Sequence, residues 1–364
     1  MNYRLSTLME QKSYSADVTE VIDINVKDPI SQFLIELCVT NVGTIAPTAH
    51  AIACLKKIEL VDGSDVLFSL SGYEAEAVDI YHNKRMRSNW NPYLDGNDVQ
   101  RFVAINFGRF LWDSLLAFDP MKFKNPQLKI TLDINAGGNA PVTNKLRVWA
   151  LLFDEKVVTP GGFLMHKEIK DYTMAVSSHE YTDLPTDYIY RKLFARCQYP
   201  GYEGNIYVSN IKLSEDQDKR VVLDHDTETI FRNIAQDNPM LTELILNYVE
   251  LASSYCYCTP TARIAGSANT WDAAAGAGEI AFYDGDGGRF KKISATATKN
   301  AQFIVSGWLP HGVWEIPFGD QMDPADWYDV RKVGSLKADI KGSASATSSQ
   351  SVQLFLQQLR EYKA

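Results

Sequence analysis

Residues able to do chemistry are spread thinly along this 364-residue chain. The six histidines, His50, His82, His166, His179, His225 and His311, stand singly. No two are spaced i, i+2 or i, i+4, so neither a cupin-type ligand pair nor an HExxH zinc motif is present. "HDTE" at His225–Glu228 has the residue types for a metal or acid–base site. The same residues read more simply as a helix start, with Asp226 as N-cap and Glu228 in the first turn, where the dipole favours negative charge. "YCYC" puts Cys256 and Cys258 on one face of a strand, but no second thiol or histidine pair stands nearby to complete a zinc site. "YDGDGG" at Tyr283–Gly288 has glycine where a calcium loop needs an oxygen ligand and no closing acid, so it reads as a turn with positive-φ glycines. There is no GxSxG and no GxxxxGK[ST]. With no catalytic constellation, function has to be read from the elements that would carry one.

Composition narrows the classes. Lys and Arg total 36 against 45 Asp and Glu, a formal net charge of -9, which argues against broad electrostatic binding of nucleic acid. The five cysteines, Cys38, Cys54, Cys197, Cys256 and Cys258, are odd in number and irregularly spaced, unlike a disulfide framework. Cys38 sits in the apolar run "FLIELCVTNV", where a small buried thiol fits. The start, "MNYRLSTLMEQKSYSADV", lacks the apolar core of a signal peptide, and no apolar run approaches a membrane span. The expectation is synthesis and assembly in a reducing cytoplasm.

Period-two alternation dominates the chain. "PQLKITLDIN" sets Leu128, Ile130, Leu132 and Ile134 on one face, and "KLRVWALLF" does the same with Leu146, Val148, Ala150 and Leu152. Two helices stand out. "GYEAEAVDIYHNK" has Ala75, Val78 and Tyr81 or His82 on one side, and "DTETIFRNIAQD" starts at Asp226 as its N-cap. The step Pro160–Gly162 is the best boundary.

The chain also repeats itself. Ile58-Glu59-Leu60 corresponds to Ile211-Lys212-Leu213, the turn Asp62-Gly63-Ser64 to Glu215-Asp216-Gln217, and Val66-Leu67-Phe68 to Val221-Val222-Leu223, with a helix after each. Leu128 to Leu146 and Leu336 to Leu354 are both steps of 18 residues, pairing the final hairpins. "FVAINFGRFLWDSLLAFDPMKF" resembles "FIVSGWLPHGVWEIPFGDQM". The second half carries extra sequence over about 239–300, including the small-residue stretch "AGSANTWDAAAGAGE", read as a flexible surface loop. "GSASATSSQS" reads as a flexible link between the last two strands. These features predict an all-β fold of two tandem eight-stranded jelly rolls, each with a short helix after its fourth strand. The expected divisions are an N-terminal arm over 1–15, a first roll over 16–158 and a second over 164–364 with a surface insertion at about 239–300.

The paired units "IELVDGSDVLFSLSGYEAEAVDIYHN" and "IKLSEDQDKRVVLDHDTETIFRNIAQDN", with "NPQLKITLDIN" after an aromatic loop, resemble the double jelly-roll major capsid proteins of tailless icosahedral viruses. That lineage includes adenovirus hexon and the capsid proteins of membrane-containing bacteriophages. The resemblance implies a viral major capsid protein located in the virion, made in host cytoplasm, without catalysis or cofactor. It implies a homotrimer shaped as a pseudo-hexagonal tile. Its partners would be neighbouring capsomers, minor capsid or vertex proteins and, in some members, an internal viral membrane, with no specific nucleic acid. Trp112, Phe118, Trp308, Trp314, Phe318 and Trp327 are candidates for a subunit interface, or else cap each sandwich within one subunit. The rival reading is a carbohydrate-binding or glycan-active protein on paired β-sandwiches, using "WDSLLAFD" or "DPADWYD".

Overall fold

Alternating side chains bury one face of each strand, so the strands pair into sheets that stack face to face. A computed structural model describes residues 1–43, 46–141, 143–249, 252–270, 280–294, 299–347 and 350–362. The first half contains β1 (Tyr3–Tyr14), β2 (Val18–Asp23), β3 (Ile30–Thr40), β4 (Leu55–Asp62), β5 (Asp65–Leu70), α1 (Gly72–Asn83), β6 (Trp90–Tyr93), β7 (Asp98–Asn106), β8 (Pro126–Leu132) and β9 (Thr143–Phe153). Sheet β1-β9-β3-β7 faces β2-β8-β4-β5, the strand order of a jelly roll.

The second half opens with β10 (Gly162–Thr173), β11 (His179–Leu184), β12 (Ile189–Cys197), β13 (Val208–Glu215), β14 (Arg220–Asp226) and α2 (Thr227–Asp237). An insertion follows: β15 (Leu241–Val249), β16 (Ser254–Tyr257), β17 (Pro260–Thr270), β18 (Ile280–Asp286), β19 (Arg289–Ser294) and β20 (Lys299–Pro310). The roll closes with β21 (Val313–Pro317), β22 (Leu336–Gly342) and β23 (Ser351–Glu361). Its layers are β10-β23-β12-β21 and β11-β22-β13-β14, the same order again.

The two rolls also share their irregularities. One extra residue is bulged out at Leu8 and Ile169, at Ser31 and Arg191, at Lys56 and Ser209, and at Leu67 and Val222, each pair in corresponding strands. A bulge bends its strand and resets the register, so four coincidences make the two rolls equivalent residue by residue around them, although β1 has a further shift between Met9 and Lys12 that β10 lacks. The filling between sheets is aliphatic and aromatic: Phe33, Ile58, Leu60, Leu128 and Ile130 in one roll, and Phe194, Ile211, Leu213 and Phe355 in the other. Burying each such side chain contributes about 1.5–3 kcal/mol.

Several expectations change. Tyr3–Tyr14, expected as an arm, is a strand paired with β9. His179–Leu184 is a strand too, paired with β22, so each helix follows the fifth strand of its roll and not the fourth. Both were missed because they lie at sheet edges, where polar residues break the alternation. "FIVSGW" is not the counterpart of "FVAINF": it lies in β20 of the insertion, and β7 corresponds to β21. The insertion, expected over 239–300, therefore runs on to Pro310. Its described part is largely sheet, and Ala265–Thr270 of the small-residue stretch lie in β17, while residues 271–279 fall outside the described ones. Of the link "GSASATSSQS", residues 348–349 also fall outside them. In the final hairpins the register aligns Leu128 with Ala338, opposite Leu60 and Leu213, two residues from the sequence match.

Ile130→Ala, at the centre of β8, is expected to destabilise the protein by about 2–5 kcal/mol. Thr131→Ala, half-exposed beside it, is expected to stay within about 0.5 kcal/mol. Urea denaturation of the two variants checks the assignment of faces.

Candidate functional site: the seam between the rolls

The two rolls are joined edge to edge. β5 of the first pairs in parallel with β10 of the second at Phe68–His166 and Ser69–Lys167, making one eight-stranded sheet, β2-β8-β4-β5-β10-β23-β12-β21. Helix α1 lies over this joint. It starts where the sequence supplies a capping box: Ser71 accepts from the Glu74 amide, and the Glu74 carboxylate accepts from Ser71 N at 2.7 Å. Nine of its twelve residues are buried, including the acids Glu74, Glu76 and Asp79. Buried acids need partners.

Arg101 of β7 supplies the main one. It is fully buried and donates to Glu76, to Asn91 Oδ1 at 2.8 Å, to Glu243 Oε1 at 3.2 Å and to Thr259 Oγ1 at 3.1 Å. Glu243 belongs to β15, and its other oxygen accepts from the Thr259 amide at 2.6 Å. His311, in the turn before β21, donates Nε2–H to Glu76 Oε2 at 2.7 Å. His50 places Nε2 3.4 Å from Thr259 Oγ1 and 3.9 Å from Glu243 Oε1. The first roll, the insertion and the closing part of the second roll therefore meet in one charged cluster. Neighbouring contacts extend the seam: Arg360 pairs with Asp65, and the Tyr81 hydroxyl donates to the Val313 carbonyl.

The electrostatics follow from burial and pairing. Desolvation works to raise the Glu76 carboxyl, but Arg101 and His311 outweigh it and hold it down to about 2. Glu243 is lowered likewise: His50 and Arg101 overcome its desolvation. Burial pushes His311 down to about 4 despite Glu76. Glu74 goes the other way, raised by burial and by the Glu168 carboxylate from β10.

Ligand atoms of His50, Glu76 and His311 lie within 4.8 Å of one another, which invites a metal reading. The donors do not fit one. His50 Nδ1 accepts from the Ile52 amide at 3.3 Å, so a neutral ring turns an N–H, and not a lone pair, toward the cluster. A metal-bound imidazole uses its second nitrogen as a donor. The Arg101 guanidinium, bonded to Glu76 in the same space, opposes a further cation.

The other sequence candidates are dispersed. Asp226 caps α2, accepting from the Thr229 amide at 2.8 Å, and Glu228 sits in its first turn. Cys256 and Cys258 are buried free thiols, and burial raises Cys256 to about 12. Gly287 and Gly288 both have positive φ in the β18–β19 turn. Of the six aromatics, Phe118 packs between Phe107 and Phe123, Trp314 is fully buried, and Trp327 donates Nε1–H to the Asp320 carbonyl at 2.8 Å. Those three are used inside the chain. Trp112 stacks on Tyr3 at 4.2 Å, Trp308 lies against Phe231, Phe318 lies against Tyr328, and all three are half-buried. The residues that sequence reasoning missed are Arg101, Glu76 and Glu243. A signal existed for two: Arg101 is in phase with buried Val99 and Val103, and Glu243 with Leu241 and Ile245.

The matched strand orders define a double jelly roll, the architecture of a class of viral capsid proteins. Solved structures with this fold include the major capsid protein of Sulfolobus turreted icosahedral virus, at 11% identity and a TM-score of 0.60, covering 99% of this chain and 97% of that one. Major capsid protein P2 of bacteriophage PM2 aligns at 11% identity and a TM-score of 0.53, covering 100% and 99%. VP54 of PBCV-1, fitted into a reconstruction of the virophage Sputnik, aligns at 11% identity and 0.58, covering 98% and 94%. No protein-family model and no curated protein sequence matches the chain.

Arg101→Met leaves Glu76 and Glu243 buried without their countercharge and is expected to cost about 3–5 kcal/mol, read by urea denaturation at pH 7.5. The unfolded chain protonates His311 near 6.5, whereas the fold refuses that proton until about 4, so stability falls as pH drops through that window. Glu76, held at about 2 against its usual 4.5, extends the loss below pH 4.5. Urea midpoints at pH 7 and pH 4.5 check this: the acid midpoint is expected to be lower, and His311→Gln is expected to narrow the difference.

Proposed function

We propose that this chain is a viral major capsid protein whose role is structural. The observation that carries the proposal is the doubled unit itself: two rolls with one strand order and four shared bulges, fixed side by side by a buried seam. A rigid pair of similar lobes gives a three-chain ring six similar corners, and closed cyclic symmetry is the usual way identical chains assemble. Six near-equal sides allow such a tile to pack against its neighbours on an icosahedral shell. Partners on this reading are two further copies, adjacent capsomers, minor capsid or vertex proteins and an internal membrane where the virus has one. Location in the virion after synthesis in host cytoplasm belongs to the same proposal, as does the absence of catalysis.

The glycan-active alternative gains nothing from the motifs that suggested it. In "WDSLLAFD", Trp112 stacks on Tyr3 and Asp113 pairs with Arg109 at 2.7 Å. In "DPADWYD", Trp327 is buried and Asp329 caps a short turn and pairs with Arg331 at 2.8 Å. These side chains are engaged within the chain.

Mass photometry of the purified protein is expected to give three times the 40.9 kDa subunit mass, and negative-stain images six-cornered particles. A stable monomer at micromolar concentration overturns the proposal.

A further inference from the structure

The joint between the rolls has a vacant counterpart. Inside the chain, β5 and α1 of the first roll are covered by the second: β5 is largely buried, and α1 has nine of twelve residues buried. The repeat equates β5 with β14 and α1 with α2. Yet among the described residues β14 pairs with β13 alone, is mostly exposed, and ends its sheet. Only Thr227, Ile230, Phe231 and Ile234 of α2 are buried. The strand on the covering side of the joint, β10, is equated with β1, which also ends its sheet and, among the described residues, pairs with β9 alone. Each half of the internal joint thus has a homologous surface elsewhere on the chain, and both surfaces are open.

The geometry points to a second copy as the occupant of both. We infer that β14 of one subunit adds in parallel to β1 of the next, repeating between chains the β5–β10 joint within them; this rests on the trimeric capsomer reading above. The shared bulges fix the register. Ile169 and Leu8 are equivalent, which sets His166 on Leu5. Val222 and Leu67 are equivalent, which sets Leu223 on Phe68. The internal pair Phe68–His166 therefore becomes Leu223–Leu5 across subunits, and Ser69–Lys167 becomes Asp224–Ser6.

Two further observations agree. Leu5, 60% exposed, is among the large apolar residues the single chain leaves in water, as is Val221 at 46% beside Leu223. A paired edge covers them. An open groove of about 400 Å³ runs between β14, α2 and β21, lined by Leu223, Ile230, Ile234, Glu315 and Pro317. In the first roll the counterpart of Leu223, Phe68, has His166 of β10 against it, with ring centroids 5.5 Å apart. An uncapped edge strand invites pairing with another chain. A head-to-tail contact between unlike surfaces closes into a ring when the rotation permits. On the trimeric capsomer reading, two lobes per chain and one repeated joint make a ring of six lobes from three chains.

The test is a disulfide across the inferred register in the full-length protein. Opposed strand positions fall within the Cα separation of about 4.4–6.8 Å that a disulfide needs. The five native thiols are buried, so background exchange is low. Leu5→Cys with Leu223→Cys is expected to give covalent dimers and closed trimers on non-reducing electrophoresis, reversed by reductant. Each single variant stays monomeric there, and Glu10→Cys with Leu223→Cys, off register, does not cross-link. A particle of trimeric mass without the Leu5–Leu223 cross-link overturns the joint and leaves the capsomer reading standing; a monomeric mass overturns both. Should the cysteine variants fail to fold, Leu5→Lys is expected to dissociate the trimer more than tenfold, and Leu5→Lys with Leu223→Glu to restore it. Dissociation unchanged by either variant overturns the joint.

Discussion

A guanidinium with no access to water holds this chain in one shape. Arg101 is fixed in β7, and the two carboxylates it joins come from α1 and from β15, 25 and 142 residues away in sequence. Charges taken out of water are costly unless their partners are in place, so the cluster tolerates one arrangement of roll, helix and insertion. Aliphatic packing within each sandwich has no such selectivity, since apolar side chains accept many neighbours. Orientation between the lobes rests on polar contacts at the seam, where His311 and Arg360 of the second roll meet Glu76 and Asp65 of the first.

The seam also explains why α1 and α2 differ. Both begin at a capped turn after the same bulged hairpin. α2 is amphipathic, as a helix with one covered face should be. α1 carries three acids that end up buried: Glu76 meets Arg101 of its own roll and His311 of the second half, and Asp79 meets Arg87 and Asn106 of its own roll. Read alone, its acids look like a solvated face.

Much of the fold was legible for local reasons. The strand–turn–strand–helix unit is contiguous, and its correspondences from Ile58 to Phe68 and Ile211 to Leu223 hold residue for residue in the paired strands. Legibility failed where partners are remote or faces are mixed. β1 and β11 lie at edges with polar residues on both faces, so period two is blurred. β20 imitates β7 because any strand buried on one side alternates in the same way. The charged cluster was invisible because its contacts join residues up to 235 apart, and one sequence does not reveal which acid an inward-facing arginine meets.

Strand β6 has its own consequence for biosynthesis. It leaves the ribosome with the first roll, yet its ladder partner β15 is encoded about 150 residues later. At ~5–20 residues per second, that partner emerges after roughly eight to thirty seconds. Throughout that interval the nascent chain holds an unpaired strand bearing Trp90, and Arg101 waits beside it for Glu243. Elongation speed and chaperone supply in the producing cell thus bear on how many chains reach the finished shape.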